Sequence, residues 1–162
     1  MKEAGVPKGS FYFHFESKEK FGLELIDVYS DFMGKKMDEI MSDTSQSGIT
    51  RLRNFIDFTK TMFESENFVG GCPLGNLALE MGDVNENFRM KISKGFEQME
   101  SHISKCLLDS QNAEEISKDI DVKSAAKFIL NSWEGALVRM KVEKSNNSLD
   151  LLGNYIFDYI LK

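Results

Sequence analysis

Apolar side chains recur every three or four residues along most of this chain, which is the period of an α-helix with one buried face. Stretches rich in Ser, Asp, Asn and Gly separate these periodic segments. Only Phe11, Phe13 and Phe15 alternate as in a β-strand, and no second strand pattern exists to pair with them. Because an isolated strand leaves its backbone groups unpaired, a helix is expected there as well. The sequence therefore predicts an all-α fold.

Polar caps, Pro and Gly give the expected ends of these helices. A short helix is expected to begin at Pro73 and to end near Gly82. The other helices are expected to begin after N-caps at Ser17, at Asp83 or Asn85, at Asp121 and at Ser148. The first long helix is expected to bury one apolar stripe, which comprises Phe21, Leu25, Val28, Tyr29, Phe32, Met33, Met37 and Ile40. The next helix is apolar on two faces and is expected to be central.

The net charge of −6 is distributed unevenly along the chain. Residues 1–21 carry four Lys and three Glu, so they contribute +1 and the remainder contributes −7. An acidic body repels nucleic acid and acidic membranes over about a Debye length. Any contact with DNA is therefore expected from a small surface within the first 21 residues.

The composition points to a reducing compartment. Two Cys in 162 residues do not make a disulfide framework. There is no run of about 18 apolar residues, and the first residues lack the apolar segment of a signal peptide. A cytoplasmic location is therefore expected. Neither metal-ligand spacing nor a Gly-rich phosphate loop of standard spacing occurs, so no metal and no cofactor are expected.

The most informative stretch is residues 4–19, AGVPKGSFYFHFESKE. Gly5 suits the tight turn of a helix-turn-helix, and Pro7 suits the first turn of the helix that follows. The stretch resembles the signature of the TetR family of transcriptional regulators, at the end of the helix-turn-helix and the start of the long linking helix. The number and order of the later helices also resemble that family's ligand-binding and dimerising body.

The resemblance implies that residues 7–15 are the recognition helix, which enters the major groove of operator DNA. The residues implied to contact phosphates or base edges are Lys8, Gly9, Ser10, Tyr12, Phe13, His14 and Lys18. For Phe11 and Phe15, packing within the DNA-binding region is favoured instead. The implied domains are a partial helix-turn-helix over residues 1–20 and a helical effector-binding and dimerisation domain over residues 21–162.

The family's DNA-binding domain has three helices, whereas this sequence starts at the turn of the motif. Either Met1 is an internal methionine of a longer protein or the chain is a natural truncation, and the intact helical body favours the first. The 162-residue chain is therefore expected to bind DNA weakly or not at all. The alternative to a transcriptional repressor is a helical dimer or sensor module that does not bind DNA.

Cys72 lies between Gly71 and Pro73, at the expected N-cap of the short helix. The helix dipole and the free N–H groups favour an anion there, so a reactive thiolate with a lowered pKa is expected. The alternative is a small apolar filler, and Cys106 fits that role on the apolar stripe of its own helix.

The segment from Gly71 to Gly95 resembles one branch of the TetR family. This branch, the repressors of N-ethylmaleimide reductase, senses electrophiles and reactive chlorine through a cysteine at this place. The resemblance implies that Cys72 is the sensing thiol. It also places Lys141 where the branch has a lysine, whose ammonium would stabilise the thiolate and react with its oxidised form. The alternatives are a solvated Lys141 and a site that binds its ligand noncovalently, as in related regulators with a Gly-Cys-Pro-Leu motif.

An apolar effector pocket between the body helices is a further hypothesis. Its expected lining is Phe55, Phe58, Met62, Met90 and Trp133, although each is also typical of plain core. The last two helices carry small residues and two Tyr, a pattern compatible with core packing or with a four-helix homodimer interface. An enzyme with Cys72 as nucleophile is not expected, because nothing links the only histidines, His14 and His102, to it as a base.

Overall fold

The structure is a computed structural model that describes Gly5 and residues 7–162. The regular structure of these residues is helical, which confirms the expected all-α fold. A 3-10 turn over Lys8–Ser10 precedes the α-helices, and a π-helical turn over Ile156–Ile160 follows them. The helices are α1 (Phe11–His14), α2 (Lys18–Met41), α3 (Gly48–Ser65), α4 (Pro73–Met81), α5 (Glu86–Asn112), α6 (Val122–Glu143) and α7 (Asn147–Tyr155). In the part of the chain that the structure describes, no helix has the length and apolar character needed to cross a membrane.

Most of the predicted helix starts are confirmed. The side chains of Ser17 and Asp121 accept hydrogen bonds from backbone N–H groups in the first turns of α2 and α6. Asn85 rather than Asp83 caps α5, and Pro73 is the first residue of α4. Such caps are local, because a short polar side chain satisfies N–H groups that the helix itself leaves unpaired.

The expected cap at Ser148 is wrong. Helix α7 already begins at Asn147, and no side chain caps its first turn. The hydroxyl of Ser148 instead donates a hydrogen bond to the carbonyl oxygen of Ala136 at 2.8 Å. Because the Ser148 hydroxyl bonds to a carbonyl oxygen of α6, it does not cap the first turn of α7. The bond instead connects α7 to α6.

The buried face of α2 differs in part from the predicted stripe. The residues that it buries against the body are Ile26, Met33, Met37 and Met41. Phe21, Leu25, Val28 and Phe32 belonged to the predicted stripe, yet they stay exposed. Helix α2 contacts α3, α4 and α5, and these contacts cover only a narrow row of its side chains.

Helix α5 is the central element of the body, because it contacts α2, α3, α4 and α6. Its buried face extends over its length and comprises Phe88, Ile92, Gly95, Met99, Ile103, Cys106, Leu107 and Ser110. The sequence analysis expected α3 to be central, and this helix packs against α2, α5 and α7. Each large apolar side chain buried in this way stabilises the fold by roughly 1.5–3 kcal/mol before entropy is counted.

The start of α3 packs closely on the end of α5 at Gly48. A Cβ on this glycine would overlap the carbonyl oxygen of Cys106. One turn later, the buried guanidinium of Arg51 donates to the carbonyl oxygen of Met41 at 2.6 Å and pairs with the carboxylate of Asp109 at 2.8 Å. The contacts of Arg51 join α2, α3 and α5. Close by, the approach of α3 to α5 leaves no room for a side chain at position 48.

The close packing at Gly48 predicts a stability difference between two Gly→Ala variants. Gly48→Ala is expected to destabilise the fold by about 1–3 kcal/mol, because the added methyl group forces α3 and α5 apart. The matched control is Gly34→Ala inside α2, where nothing lies within 4 Å of the added Cβ. The control is expected to gain about 0.5–1 kcal/mol, because Ala favours the helix over Gly. Urea unfolding at one protein concentration measures both, and equal stability of the two variants would contradict the packing.

Candidate functional site

Two glycines turn the chain into the short helix α4. Gly70 has a φ of 93° and Gly71 a φ of 81°, a region that other residues rarely adopt. Gly71 packs on the side chain of Lys141, whose Cδ would lie 3.1 Å from an added Cβ. Cys72 then occupies the N-cap position of α4, and Pro73 is its first residue. The expected N-cap position of Cys72 is confirmed, and the turn brings Cys72 toward the face of α6 that carries Lys141.

The thiol of Cys72 is buried, with only 2% of the residue exposed. The hydroxyl of Tyr29 on α2 donates a hydrogen bond to its sulfur at 3.4 Å. Burial and, next in importance, the carboxyl of Glu134 on α6 raise the pKa of the thiol to about 12. The expectation of a lowered pKa is therefore wrong for this conformation. The helix N-terminus does not offset the removal of the sulfur from water.

Glu134 is the titratable residue of the site that the sequence analysis missed. Its carboxyl packs against Gly75, where an added Cβ would overlap Oε2. Its Oε1 is buried without a hydrogen-bond partner among the described residues. Burial raises the pKa of this carboxyl to about 7, and the neighbouring Cys72 thiol acts in the opposite direction. A signal was present in the sequence: Glu134 lies two helical turns before Lys141, so the two residues share one face of α6.

A cavity of about 270 Å³ lies between α4, α5 and α6. Its lining includes Cys72, Asn76, Phe96, Glu134 and Lys141. The Lys141 ammonium donates to the side-chain oxygen of Asn76 at 3.1 Å. The structure thus brings the predicted pair, Cys72 and Lys141, to one cavity and adds Glu134 to them. The volume is just below the range of about 300–1,000 Å³ usual for ligand pockets, so it suits a small ligand.

The five residues expected to line an apolar pocket, Phe55, Phe58, Met62, Met90 and Trp133, do not meet around a common cavity. The rings of Phe55 and Trp133 pack in the core with centroids 5.9 Å apart. The indole of Trp133 donates to the buried hydroxyl of Thr59 at 3.4 Å. Phe58 and Met62 pack against the edge of the core, whereas Met90 is exposed on α5. Four of the five therefore pack in or against the core, and none of the five lines the cavity beside Cys72.

The residues predicted to contact DNA lie at the start of the described chain. The 3-10 turn and α1 leave Tyr12, Phe13 and His14 exposed, and 87% of Phe13 is accessible. Gly9 and Lys18 are also exposed, and Ser10 is half-buried. The side chain of Lys8 lies outside the described residues.

An aromatic cluster joins this segment to α2. The ring of Phe11 lies 5.3 Å from that of Phe15 and 5.4 Å from that of Phe21, measured between centroids. Phe15 and Phe21 are 4.8 Å apart. The predicted packing role of Phe11 and Phe15 is therefore confirmed. Because both rings point into the cluster, the side chains between them in sequence point outward.

Helices α6 and α7 leave an apolar groove on their outer side. Leu149, Leu152 and Ile156 bury one face of the last helical segment in the core. Phe128 on α6 and Leu151 and Tyr155 on α7 border the groove and remain exposed. An exposed apolar surface of this kind is typical of protein interaction sites. The hairpin is therefore compatible with both interpretations of its sequence, since one face packs in the core and another stays open.

Comparisons with known proteins agree with this architecture. The family described as "Tetracyclin repressor-like, C-terminal domain" matches residues 48–156 of the chain. The HTH-type transcriptional repressor DhaR of Mycobacterium sp. (strain GP1) is 31% identical over 158 residues, covering 98% of this chain and 78% of DhaR. A crystal structure of regulatory protein TetR from Rhodobacter sphaeroides has a TM-score of 0.88 and 33% identity, covering 93% of this chain and 80% of that one.

A further relative bears on the branch within the family. The HTH-type transcriptional repressor NemR of Escherichia coli (strain K12) is 25% identical over 150 residues, covering 93% of this chain and 75% of NemR. This similarity fits the resemblance to the electrophile-sensing branch. The relatives are named as transcriptional regulators, and the family match spans more than half of the chain. This chain therefore belongs to the TetR family of transcriptional regulators.

Proposed function

We propose that this chain belongs to a repressor that, with its helix-turn-helix complete, binds operator DNA as a homodimer and releases it when a small effector enters the cavity beside Cys72. The hydrogen bond from Tyr29 to Cys72 carries the proposal, because it links that cavity to the helix that leads to the DNA-facing segment. Residues 1–20 are the DNA-binding region in this proposal, and residues 21–162 are the effector-binding and dimerisation domain. The protein acts in the cytoplasm, where its two free thiols stay reduced.

DNA binding is assigned to the exposed groups around α1. Tyr12 and His14 carry donors that suit phosphate oxygens, and Lys18 adds a cation at the start of α2. Gly9, Ser10 and Phe13 complete this surface, together with Lys8 from the sequence motif. The aromatic cluster behind α1 holds its backbone in place. Because the rest of the chain is acidic, contact with DNA is confined to this segment.

One hydrogen-bond donor on this surface can be tested alone. Tyr12→Phe is expected to weaken binding of the homodimer to the DNA upstream of the protein's own gene about 30-fold, because each of the two subunits loses one phosphate hydrogen bond of about 1 kcal/mol. Tyr159→Phe is the matched control, since that tyrosine is also exposed but lies at the far end of the chain. Fluorescence anisotropy of the full-length protein measures both. Equal affinity of the two variants would contradict the assignment of Tyr12.

Dimerisation is assigned to the apolar groove on α6 and α7. Two such hairpins related by a two-fold axis form a four-helix bundle, in which each groove receives side chains from the other copy. The exposed Phe128, Leu151 and Tyr155 are large enough to act as its anchors. Large apolar and aromatic anchors in the centre of an interface carry most of the binding free energy.

A charge in this groove is expected to separate the subunits. Leu151→Asp is expected to raise the dimer dissociation constant about 30-fold or more, which corresponds to roughly 2 kcal/mol for a central anchor. Val84→Asp is the matched control, because Val84 is 72% exposed in the turn between α4 and α5. Analytical ultracentrifugation measures the dissociation constants. A dimer that Leu151→Asp leaves intact would place the interface elsewhere.

Effector sensing is assigned to Cys72 and Lys141. The protonated, buried thiol reacts slowly with reagents in bulk solution, so a reagent must enter the cavity to be captured. The Lys141 ammonium on the same wall suits a carbonyl or carboxylate oxygen of that reagent. A group attached to the sulfur displaces the hydroxyl of Tyr29 and pushes on α2.

The thiol assignment predicts a selective loss of response. Cys72→Ser is expected to keep operator affinity but to lose the release of DNA on addition of N-ethylmaleimide, because the hydroxyl is a poor nucleophile. Cys106→Ser, at the other buried cysteine, is expected to release DNA as the unmodified protein does. A mobility-shift titration with and without N-ethylmaleimide measures both. Release that persists in Cys72→Ser would remove Cys72 from the sensing role.

A further inference from the structure

We propose that Glu134 accepts the proton of the Cys72 thiol as that sulfur adds to an α,β-unsaturated carbonyl compound held in the cavity between α4, α5 and α6. This inference rests on the proposed sensing role of Cys72 and names the residue that makes its buried thiol reactive. Glu134 is a positioning and proton-accepting residue here, and the adduct stays on the protein. The inference concerns one stoichiometric reaction and does not make the chain an enzyme.

The geometry around the sulfur favours proton transfer in one direction. Tyr29 donates its hydroxyl hydrogen to the sulfur at 3.4 Å, so Tyr29 occupies an acceptor position of the thiol rather than taking its proton. The carboxyl of Glu134 lines the same cavity from α6 and raises the pKa of this thiol. Its Oε1 is buried and has no hydrogen-bond partner among the described residues. Glu134 therefore offers the thiol hydrogen a buried acceptor that no other described group occupies.

The protonation states match this division of roles. Burial holds the pKa of the thiol at about 12, so the thiol carries its proton at neutral pH. The pKa of Glu134 lies at about 7, so a large fraction of the carboxyl is ionised there. A base is most effective when its pKa lies near the working pH. The other charged or titratable groups that face the cluster are Tyr29, whose pKa burial raises, and the Lys141 ammonium, which is hydrogen-bonded to Asn76.

The reaction balances without an added oxidant or reductant. The sulfur forms a bond to the β-carbon of the unsaturated carbonyl compound, and the electron pair of the double bond moves toward the carbonyl oxygen as an enolate. The thiol proton passes to the Glu134 carboxylate as the carbon–sulfur bond forms. Glu134 then returns this proton to the α-carbon, and nothing leaves. The Lys141 ammonium on the same cavity wall can stabilise the enolate oxygen.

A purely electrostatic role of Glu134 predicts the opposite result. The negative carboxylate also raises the pKa of the thiol, so its removal alone would give more thiolate and faster addition. If Glu134 accepts the proton, its removal slows the addition, and the pH profile of the rate no longer shows the ionisation of the carboxyl. The two roles are therefore distinguished by the sign of one rate change.

The experiment measures the rate at which N-ethylmaleimide adds to Cys72 in the full chain, by intact-protein mass spectrometry between about pH 6 and about pH 9. Cys106→Ala is the common background, so that one thiol remains. The background protein is expected to show a rate that rises with a midpoint near pH 7. At pH 8, Glu134→Gln is expected to react at about one tenth of the background rate or below, and its rate is expected to lack that midpoint. Glu134→Asp is expected to keep the midpoint at a reduced rate, which a role in packing alone would not produce.

The outcomes separate the two proposals. A Glu134→Gln variant that reacts as fast as the background protein, or faster, overturns the proton-accepting role while Cys72 remains a sensor. A background protein in which N-ethylmaleimide never modifies Cys72 overturns the proposed function and this inference together. Circular dichroism melting of each variant verifies that it is folded. If Glu134→Gln unfolds, the pH profile of Glu134→Asp decides, and a profile without a midpoint near pH 7 overturns the inference.

Discussion

Three of the helices that build the site meet at one glycine. A Cβ on Gly95 of α5 would lie 2.7 Å from Cδ1 of Leu74 on α4 and 3.2 Å from Oγ of Ser30 on α2. Leu74 is two residues after Cys72, and Ser30 directly follows Tyr29. The close approach at Gly95 therefore sets how near the thiol comes to the phenol. A larger residue would separate α4 from α2 in a core that has little free volume, and the link between cavity and linking helix would be lost.

The same packing removes the titratable groups of the site from water. Burial raises the pKa of Tyr29, Cys72 and Glu134 together, so each is pushed toward its uncharged form. For Glu134 the pKa in the folded chain is about 7, above the ordinary value of 4.5. The folded state then holds this proton more tightly than the unfolded state, and the free energy of unfolding falls as the pH rises between those two values. At neutral pH both protonation states of this carboxyl are therefore populated.

Features that depend on neighbouring residues, such as helix caps, could be predicted from the sequence. Burial and pKa values could not, because they depend on helices that are distant in the sequence. Ser17 and Asp121 were found because a cap acts on its own helix. Val28 and Met33 have similar apolar character, but Val28 faces away from the helices that bury Met33, so the expected stripe was too wide. The backbone position of Cys72 was predicted from its glycines and proline, whereas its pKa was not. The pKa of Cys72 depends on burial, on Glu134 of α6 and on Tyr29, which lies 43 positions before it, and no local sequence pattern brings these groups together.

Helix α2 connects the site to the segment that holds the predicted DNA contacts. From Lys18 to Tyr29 it rises roughly 17 Å, and its first turns contact the aromatic cluster behind α1. An ion pair of Lys91 with Asp27 and a hydrogen bond between His102 and Asp38 tether α2 to α5 on either side of Tyr29. Such partly exposed pairs contribute about 0–1 kcal/mol each and hold α2 only weakly. Buried Ile26 and Met33 hold α2 against the body on either side of Tyr29, and the two polar contacts add little to this hold. An adduct on the sulfur, as proposed above, would meet the hydroxyl of Tyr29 first, so α2 is the helix through which it would act on the segment with the predicted DNA contacts.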